Sequence, residues 1–404
     1  MKATYFTCTL GQAASLGLTN KSFRNINHFI DSQAQATPKQ PAVGFAQPSK
    51  SDSPWNSTVW TFSDIRDGTL KVAAYLQKEY GDLLAPSRTV ALICPSTPEF
   101  LFTWLALTRL GHAVLLIAPQ CQPAAIVHLC KACDVKVLFH DESYALQSSN
   151  SADLANKDGV ELECVQLPFS TERSLVDIVE TGESDVGKVA DPQETDVAYL
   201  HHTSGTSSGV PKPIPQSHRA GAGVLPSFPE GKESATFTTT PLYHGGIADL
   251  FRAWTSGALI WLFPGKDVPI TAGNVVKCLD AAARGTKESG LPPVKYFSSV
   301  PYVLQMMEAD DKGLQFLQGM DIVGVGGAAL PAEVGDRMVE KGINLISRFG
   351  SAECGFLMSS HRDYSKDKEW QYLRSTEGAE HLNFEQQEDD LAELVIRSGW
   401  PHMV

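Results

Sequence analysis

An α/β fold of two layered subdomains, each built on a largely parallel sheet flanked by helices, follows from three observations on the sequence. The chain has 404 residues, beyond the size at which a single hydrophobic core stops growing, so it divides into subdomains or layers. Short β-branched apolar runs alternate with helix-length amphipathic runs between residues 57 and 140. Strand-like segments then recur after residue 195, at GALIWLF, VKYFSSV and DIVGVGG. Hydrophobic residues make up 43% and charged residues 20% of the chain, the balance of a globular protein rather than of a disordered, collagen-like or coiled-coil one.

Taken in order, TFSDIRDGTLKVAAYLQKEY predicts a helix, with Ser63 as its N-cap candidate and an apolar stripe from residue 65 to residue 76. RTVALICP reads as a strand. TPEFLFTWLALTRLG gives the next helix, with Thr97 as N-cap, Pro98 in the first turn and Gly111 as the stop; it is apolar on nearly every side. HAVLLIAP is a second strand, PAAIVHLCKACD a second crossover helix and VKVLFHD a third strand. This β-α-β-α-β order implies a parallel sheet with right-handed crossovers. From residue 142 to about 195 the pattern weakens into a polar, acidic stretch, which sets a boundary between subdomains at 1–195 and 196–404.

The composition also excludes function classes. Lys and Arg total 33 against 46 Asp and Glu, a net charge of −13, so the long-range attraction that drives nucleic-acid binding is missing. Apolar stretches such as 90–94 and 113–118 are too short for a membrane span. The N-terminus has no continuous apolar core of signal-peptide length, and the reading is cytoplasmic. Eight cysteines in no regular framework imply reduced thiols. Cys130 and Cys133 form a CxxC within a helical pattern, with no second ligand pair at finger spacing, which disfavours zinc.

The segment richest in chemistry runs from Thr203 through Ser204, Gly205, Thr206, Ser207, Ser208 and Gly209 to Lys212, directly after the strand DVAYLHH. Two glycines let backbone N–H groups approach an anion, five hydroxyls add donors, and Lys212 can reach an outer phosphate. An ordinary P-loop is disfavoured, because Val210 and Pro211 separate the second glycine from the lysine. Standing alone, the same composition suits a surface loop.

The loop resembles TSG(S/T)TGxPK, the phosphate-binding signature of the adenylate-forming superfamily, which includes acyl-CoA synthetases, peptide-synthetase adenylation domains, luciferases and carboxylic acid reductases. Ser207 and Ser208 stand where a single Thr is typical. Three further segments occur in that family's order. PLYHGGIADL, residues 241–250, looks like its P-x-x-H-x-x-G segment, with His244 on the acyl pocket, though a His beside two glycines also suits a structural loop. VGVGGAALP, residues 323–331, resembles the GGAxL strand end that lies against adenine and acyl group. SRFGSAECG, residues 347–355, is similar to YGxTE, with Ala352 in place of the Thr. The resemblance runs from about Ser22 onward, and HTSGTSSGVPKPIP looks most like fungal synthetase-like and reductase adenylation domains of secondary metabolism.

What the resemblance implies is ligase chemistry with ATP and Mg²⁺: a carboxylate and ATP give acyl-AMP and pyrophosphate. It assigns the phosphates to Thr203, Ser204, Gly205, Thr206 and Lys212, with Ser207, Ser208 and Gly209 completing the loop. It assigns adenine to Gly327, Ala328 and Phe349, with Gly350, Ser351 and Ala352 beside it, the acyl pocket to His244 and Gly326, and Mg²⁺ to Glu353. Lys212, His244 and Glu353 are the expected catalytic residues. Gly245 and Gly246 stand where amino-acid-activating members generally place an Asp, which favours a non-amino aryl or alkyl acid. The acyl acceptor, whether CoA, a carrier protein or a reductase, stays open. LAELVIRSG, residues 391–399, looks like the strand before the family's ribose-binding T/R-G-D motif. The hinge and C-terminal lobe are therefore expected to be lacking, with a β-barrel only partly present and an exposed apolar patch over 391–404. The alternative is a truncated, weak or inactive nucleotide-binding remnant or scaffold that needs a partner.

Overall fold

The computed structural model describes residues 2–19, 23–49, 53–85, 88–170, 174–187, 189–205, 209–374 and 379–402. In chain order its first elements are α1 (Leu10–Ser15), α2 (Ile26–Ala36), β1 (Pro41–Gln47), β2 (Asn56–Thr61), α3 (Phe62–Leu84), β3 (Thr89–Ile93), α4 (Pro98–Arg109), β4 (Ala113–Leu116), α5 (Pro123–Ala132) and β5 (Val137–His140). Next come α6 (Ala145–Lys157), β6 (Glu163–Gln166), α7 (Leu175–Thr181), β7 (Val197–His202), β8 (Pro213–Ser217), β9 (Ala235–Thr238), α8 (Gly246–Trp254), β10 (Leu259–Leu262) and α9 (Ala272–Ser289). The last are β11 (Val294–Ser299), α10 (Pro301–Ala309), α11 (Asp311–Gln318), β12 (Ile322–Val325), α12 (Ala332–Glu340), β13 (Leu345–Ser351), β14 (Gly355–Ser359), β15 (Leu382–Gln386) and β16 (Ala392–Ile396).

Two sheets organise these elements. One has the order β6-β5-β3-β4-β7-β8 and is parallel except for β8, while the other has the order β14-β13-β12-β11-β9-β10-β1-β2 and is parallel except for its two edge strands. The sheets do not divide at residue 195. β7 and β8 follow that point yet belong with β3 to β6, and β1 and β2 precede it yet pair with β10 or each other. Among the described residues no barrel closes, and β15 and β16 form a separate two-stranded sheet.

Period-two alternation explains the layering. In β3, Val90 and Leu92 enter the core between the sheets while Ala91 and Ile93 face α5 and α6; in β10, Ile260 and Leu262 enter the same central core while Leu259 and Trp261 face the outer cluster of α9 to α12. Strands buried on both faces read as continuous apolar runs. The central core also takes Ile65 and Val72 of α3, Trp104 of α4 and Phe251 of α8. This middle position accounts for α4, whose residues from Phe100 to Arg109 are all buried.

Local signals hold with two corrections. Thr97 caps α4 as expected, but α3 begins two residues earlier than Ser63 suggested, capped by Thr61 in a reciprocal box with Asp64. The polar stretch after residue 142 contains α6, β6 and α7; α6 turns Ser148, Ser151 and Ala155 inward, so it has no apolar stripe to read. The expected apolar patch at the end of the chain is partial. Leu391 is 70% exposed, whereas Trp400 is 1% exposed and donates its Nε1–H to the carbonyl of Cys354 at 2.7 Å. No described helix is long and apolar enough to cross a membrane.

Candidate active site

β7 and β8 pair antiparallel up to His202 opposite Pro213, and the hydroxyl-rich loop is the connection between them. Its base is pinched shut: the Thr203 N–H donates to the Lys212 carbonyl at 2.9 Å, and the Lys212 N–H donates to Thr203 Oγ1 at 2.9 Å. Gly205 and Gly209 have φ of 75° and 73°, a region favouring glycine. A Cβ on Gly205 would lie 2.8 Å from Pro211 N. Ser204 and Lys212 are exposed, and Lys212 forms no ion pair among the described residues. Thr206, Ser207 and Ser208 lie outside the described residues.

A cavity of about 460 Å³ opens where the strand ends of the two sheets meet. Its wall includes six of the residues expected from sequence, His244, Gly326, Gly327, Gly350, Ser351 and Ala352. Gly326 and Gly327 leave the end of β12, where the Gly326 N–H donates to the Ser299 carbonyl and Gly327 has φ of 80°. A Cβ on Gly350 would lie 2.2 Å from the Gly355 carbonyl oxygen, so the β13–β14 turn closes only around glycine. The first sheet joins the second here, because Gln216 Nε2 of β8 donates to the Ala352 carbonyl at 2.8 Å.

Other expected residues do not line the cavity. Ala328 is exposed. Phe349 is 43% exposed and pairs across with Met358, while Phe356 of β14 faces the cavity instead. Glu353 sits exposed at the apex of the turn. Among the described residues no three metal-capable side chains gather. A lone exposed carboxylate suits Mg²⁺ that takes its remaining ligands from phosphates and water, so Glu353 fits the ion as a single ligand.

The histidines on the wall are held neutral. Ala118 N–H donates to His202 Nε2 at 3.0 Å, which leaves Nδ1 to carry the proton toward the Thr203 carbonyl at 2.9 Å. Burial lowers the pKa of His202 and, to about 4, that of His201, whose Nδ1 lies 3.2 Å from the Tyr243 carbonyl. His244 is lowered by burial and by His202, whose ring centre is 6.4 Å away.

Sequence reasoning missed the charged floor. Asp249 and Arg252 of α8 and Arg348 of β13 all line the cavity. Arg348 Nη1 donates to Asp249 Oδ1 at 3.0 Å and to Ser298 Oγ at 2.9 Å; the other Asp249 oxygen accepts from Thr238 Oγ1 at 3.0 Å. Arg252 Nη1 donates to the carbonyls of Tyr5 and Cys8, which brings the N-terminal segment under the cavity. The available signal was a pair of opposite charges three residues apart on an otherwise apolar helix.

A family model for AMP-binding enzymes matches residues 30–379. The chain belongs to the AMP-binding enzyme family. This AMP-binding enzyme is similar to an adenylate-forming reductase of Stachybotrys bisbyi, at 28% identity over 66% of the chain and 24% of that protein. A carboxylic acid reductase of Neurospora crassa is 24% identical over 82% of the chain and 31% of that protein. Across the curated relatives it matches, the chain spans between 24% and 35% of their length. Among solved structures, apo MbtA of Mycobacterium smegmatis superposes with a TM-score of 0.66 at 18% identity, covering 95% of the chain and 66% of that one. The anthranilate CoA ligase AuaEII in complex with anthranoyl-AMP gives 0.63 at 19% identity, covering 86% and 63%. At these identities the structures establish the shared fold.

Proposed function

We propose that this AMP-binding enzyme adenylates a non-amino carboxylic acid. A carboxylate oxygen attacks the α-phosphorus of ATP, the bond from that phosphorus to the bridging oxygen breaks, and pyrophosphate leaves with the electron pair. Little covalent work falls to the protein, so catalysis is alignment and charge screening. The observation that carries the reading is the Gln216–Ala352 hydrogen bond. It ties β8, the strand that follows the hydroxyl-rich loop, to the residue before Glu353, and both bonded residues are in the cavity wall.

In this reading the backbone N–H groups of the loop and Lys212 hold the phosphates, Gly327, Ala328 and Phe349 flank adenine, and His244 and Gly326 border the acid. Mg²⁺ bound at Glu353 would screen the phosphate charge. A non-amino acid is favoured because Asp249, the carboxylate on the cavity wall, is already paired with Arg348 and shares the wall with Arg252; a buried ammonium would enter a site whose charge is already positive.

The test is carboxylate-dependent exchange of labelled pyrophosphate into ATP across aryl, alkyl and amino acids. Exchange with a non-amino acid, lost in Lys212→Ala and Glu353→Ala, is the expected result. Exchange only with amino acids, or none with any acid, would overturn the proposal.

A further inference from the structure

The cavity floor carries more positive charge than it neutralises. Two guanidinium groups, Arg252 and Arg348, face one carboxylate, Asp249. That carboxylate bonds Arg348 through one oxygen and Thr238 through the other, so its single charge is matched by Arg348. Arg252 is 3% exposed, and its recorded partners are two neutral carbonyls, at 3.0 Å and 2.6 Å. Arg348 Nε is buried without an acceptor. Both guanidinium groups lie on the Phe356 ring, at 4.8 Å and 5.0 Å from its centre. The wall supplies no second anion, since its remaining titratable groups include His201, His202, His244 and His402, all held toward the neutral form by burial.

A buried charge without a counter-charge is costly unless something pairs with it. Here the strain is visible in Arg252, whose pKa falls to about 9 through burial and then through the neighbouring Arg348. Position indicates which part of a substrate would relieve it. Lys212 and Glu353, assigned above to phosphate and Mg²⁺, are exposed on the loop and the turn that leave the cavity wall at His202 and Ala352, while the two arginines lie in the wall itself, one 3% exposed and the other with a 13% exposed side chain. A group that reaches them is the end of the acid remote from the reacting carboxylate. A guanidinium fork matches a planar carboxylate with paired N–H donors.

We infer that the acid accepted by this cavity carries a second carboxylate at its far end, bound by Arg348 and Arg252; this rests on the adenylation reading above. The substrate class is thus a non-amino dicarboxylic acid, and Arg348 is the residue that selects it. Asp249 limits the selection by competing for the same guanidinium.

The experiment pairs acids of matched length and shape, adipate with hexanoate and terephthalate with benzoate, and measures their binding by titration calorimetry alongside pyrophosphate exchange. A diacid should bind at least about tenfold tighter than its monoacid partner, as expected for a desolvated charge pair. Arg348→Met should abolish that preference, and Asp249→Asn, which frees Arg348, should enlarge it. The parent protein's own diacid-to-monoacid ratio decides the inference, so the test stands even if a variant does not fold. Equal binding of both acids, preference for the monoacid, or binding of neither overturns the inference. Exchange separates the two claims: monoacid exchange without diacid preference leaves the adenylation reading intact, whereas Arg348-dependent diacid binding with no exchange supports the pocket and removes the reaction.

Discussion

The rim and the floor of the cavity are built on opposite principles. At the rim, taken as the loop and turn that leave the cavity wall at His202 and Ala352, Lys212 and Glu353 stand exposed, and what holds them is backbone: the Thr203–Lys212 pinch and the glycines at 205 and 350. At the floor, Arg252, Arg348 and Asp249 are held by side-chain bonds to the N-terminal segment, α8, β11 and β13. The rim can lose a charged head with little effect on folding, because water already solvates it. The floor cannot, because each charge there relies on the others. The same molecule thus separates groups that serve a reaction from groups that shape what enters it.

The largest expected effect breaks the floor. Arg348→Ala takes from the buried Asp249 the guanidinium it is bonded to, and should cost about 3–5 kcal/mol of unfolding free energy, read from urea denaturation. Asp249→Asn with Arg348→Met in one chain should recover part of that loss, since removing both partners costs less than stranding one.

Acid comes second. Burial lowers the His201 pKa from 6.5 to about 4, so between these values the unfolded chain binds a proton that the folded chain refuses. Stability from this group is complete above pH 6.5 and falls as pH drops toward 4, by about 3 kcal/mol at the lower limit. Urea midpoints measured across that window should decline with acid, and His201→Gln should flatten the decline. His218, also lowered to about 4 by burial, adds a slope that this variant leaves in place.

How much of this was legible in the sequence depended on distance along the chain. The β3-α4-β4-α5-β5 order was readable because each element carries its own signal, such as Thr97 and Pro98 at the head of α4. α6 was not, because its inward face is Ser148, Ser151 and Ala155, and no hydrophobic periodicity marks it. Nor could β1 be assigned to the second sheet, since its partner strand β10 lies about two hundred residues further on, at Ile260 opposite Val43. The rim was visible as contiguous motifs with glycine at positions of positive φ. The floor was invisible for the opposite reason: Asp249 and Arg348 are 99 residues apart, and neither motif predicts the other's charge.

A smaller effect tests the rim's backbone. Gly205→Ala places a Cβ 2.8 Å from Pro211 N at a φ of 75°, a strain of about 1–3 kcal/mol. If the loop is a phosphate cradle, nucleotide affinity should fall by more than this stability loss explains, as measured by titration with ATP beside a urea melt. Equal loss of both would reduce Gly205 to a structural turn residue.

The smallest effect on stability sharpens the contrast most. Lys212 is exposed and unpaired among the described residues, so Lys212→Ala should change unfolding free energy by no more than about 0.5 kcal/mol, the range of ordinary surface substitutions. Its effect on function should be selective. A lysine reaching outer phosphates interacts with ATP and pyrophosphate but not with AMP, so the variant should bind AMP nearly as well as the parent while losing ATP affinity and pyrophosphate exchange. Equal weakening of ATP and AMP would move Lys212 from the outer phosphates to the nucleotide as a whole. A large loss of stability would place it with the floor, and the separation between rim and floor would then fail at its clearest point.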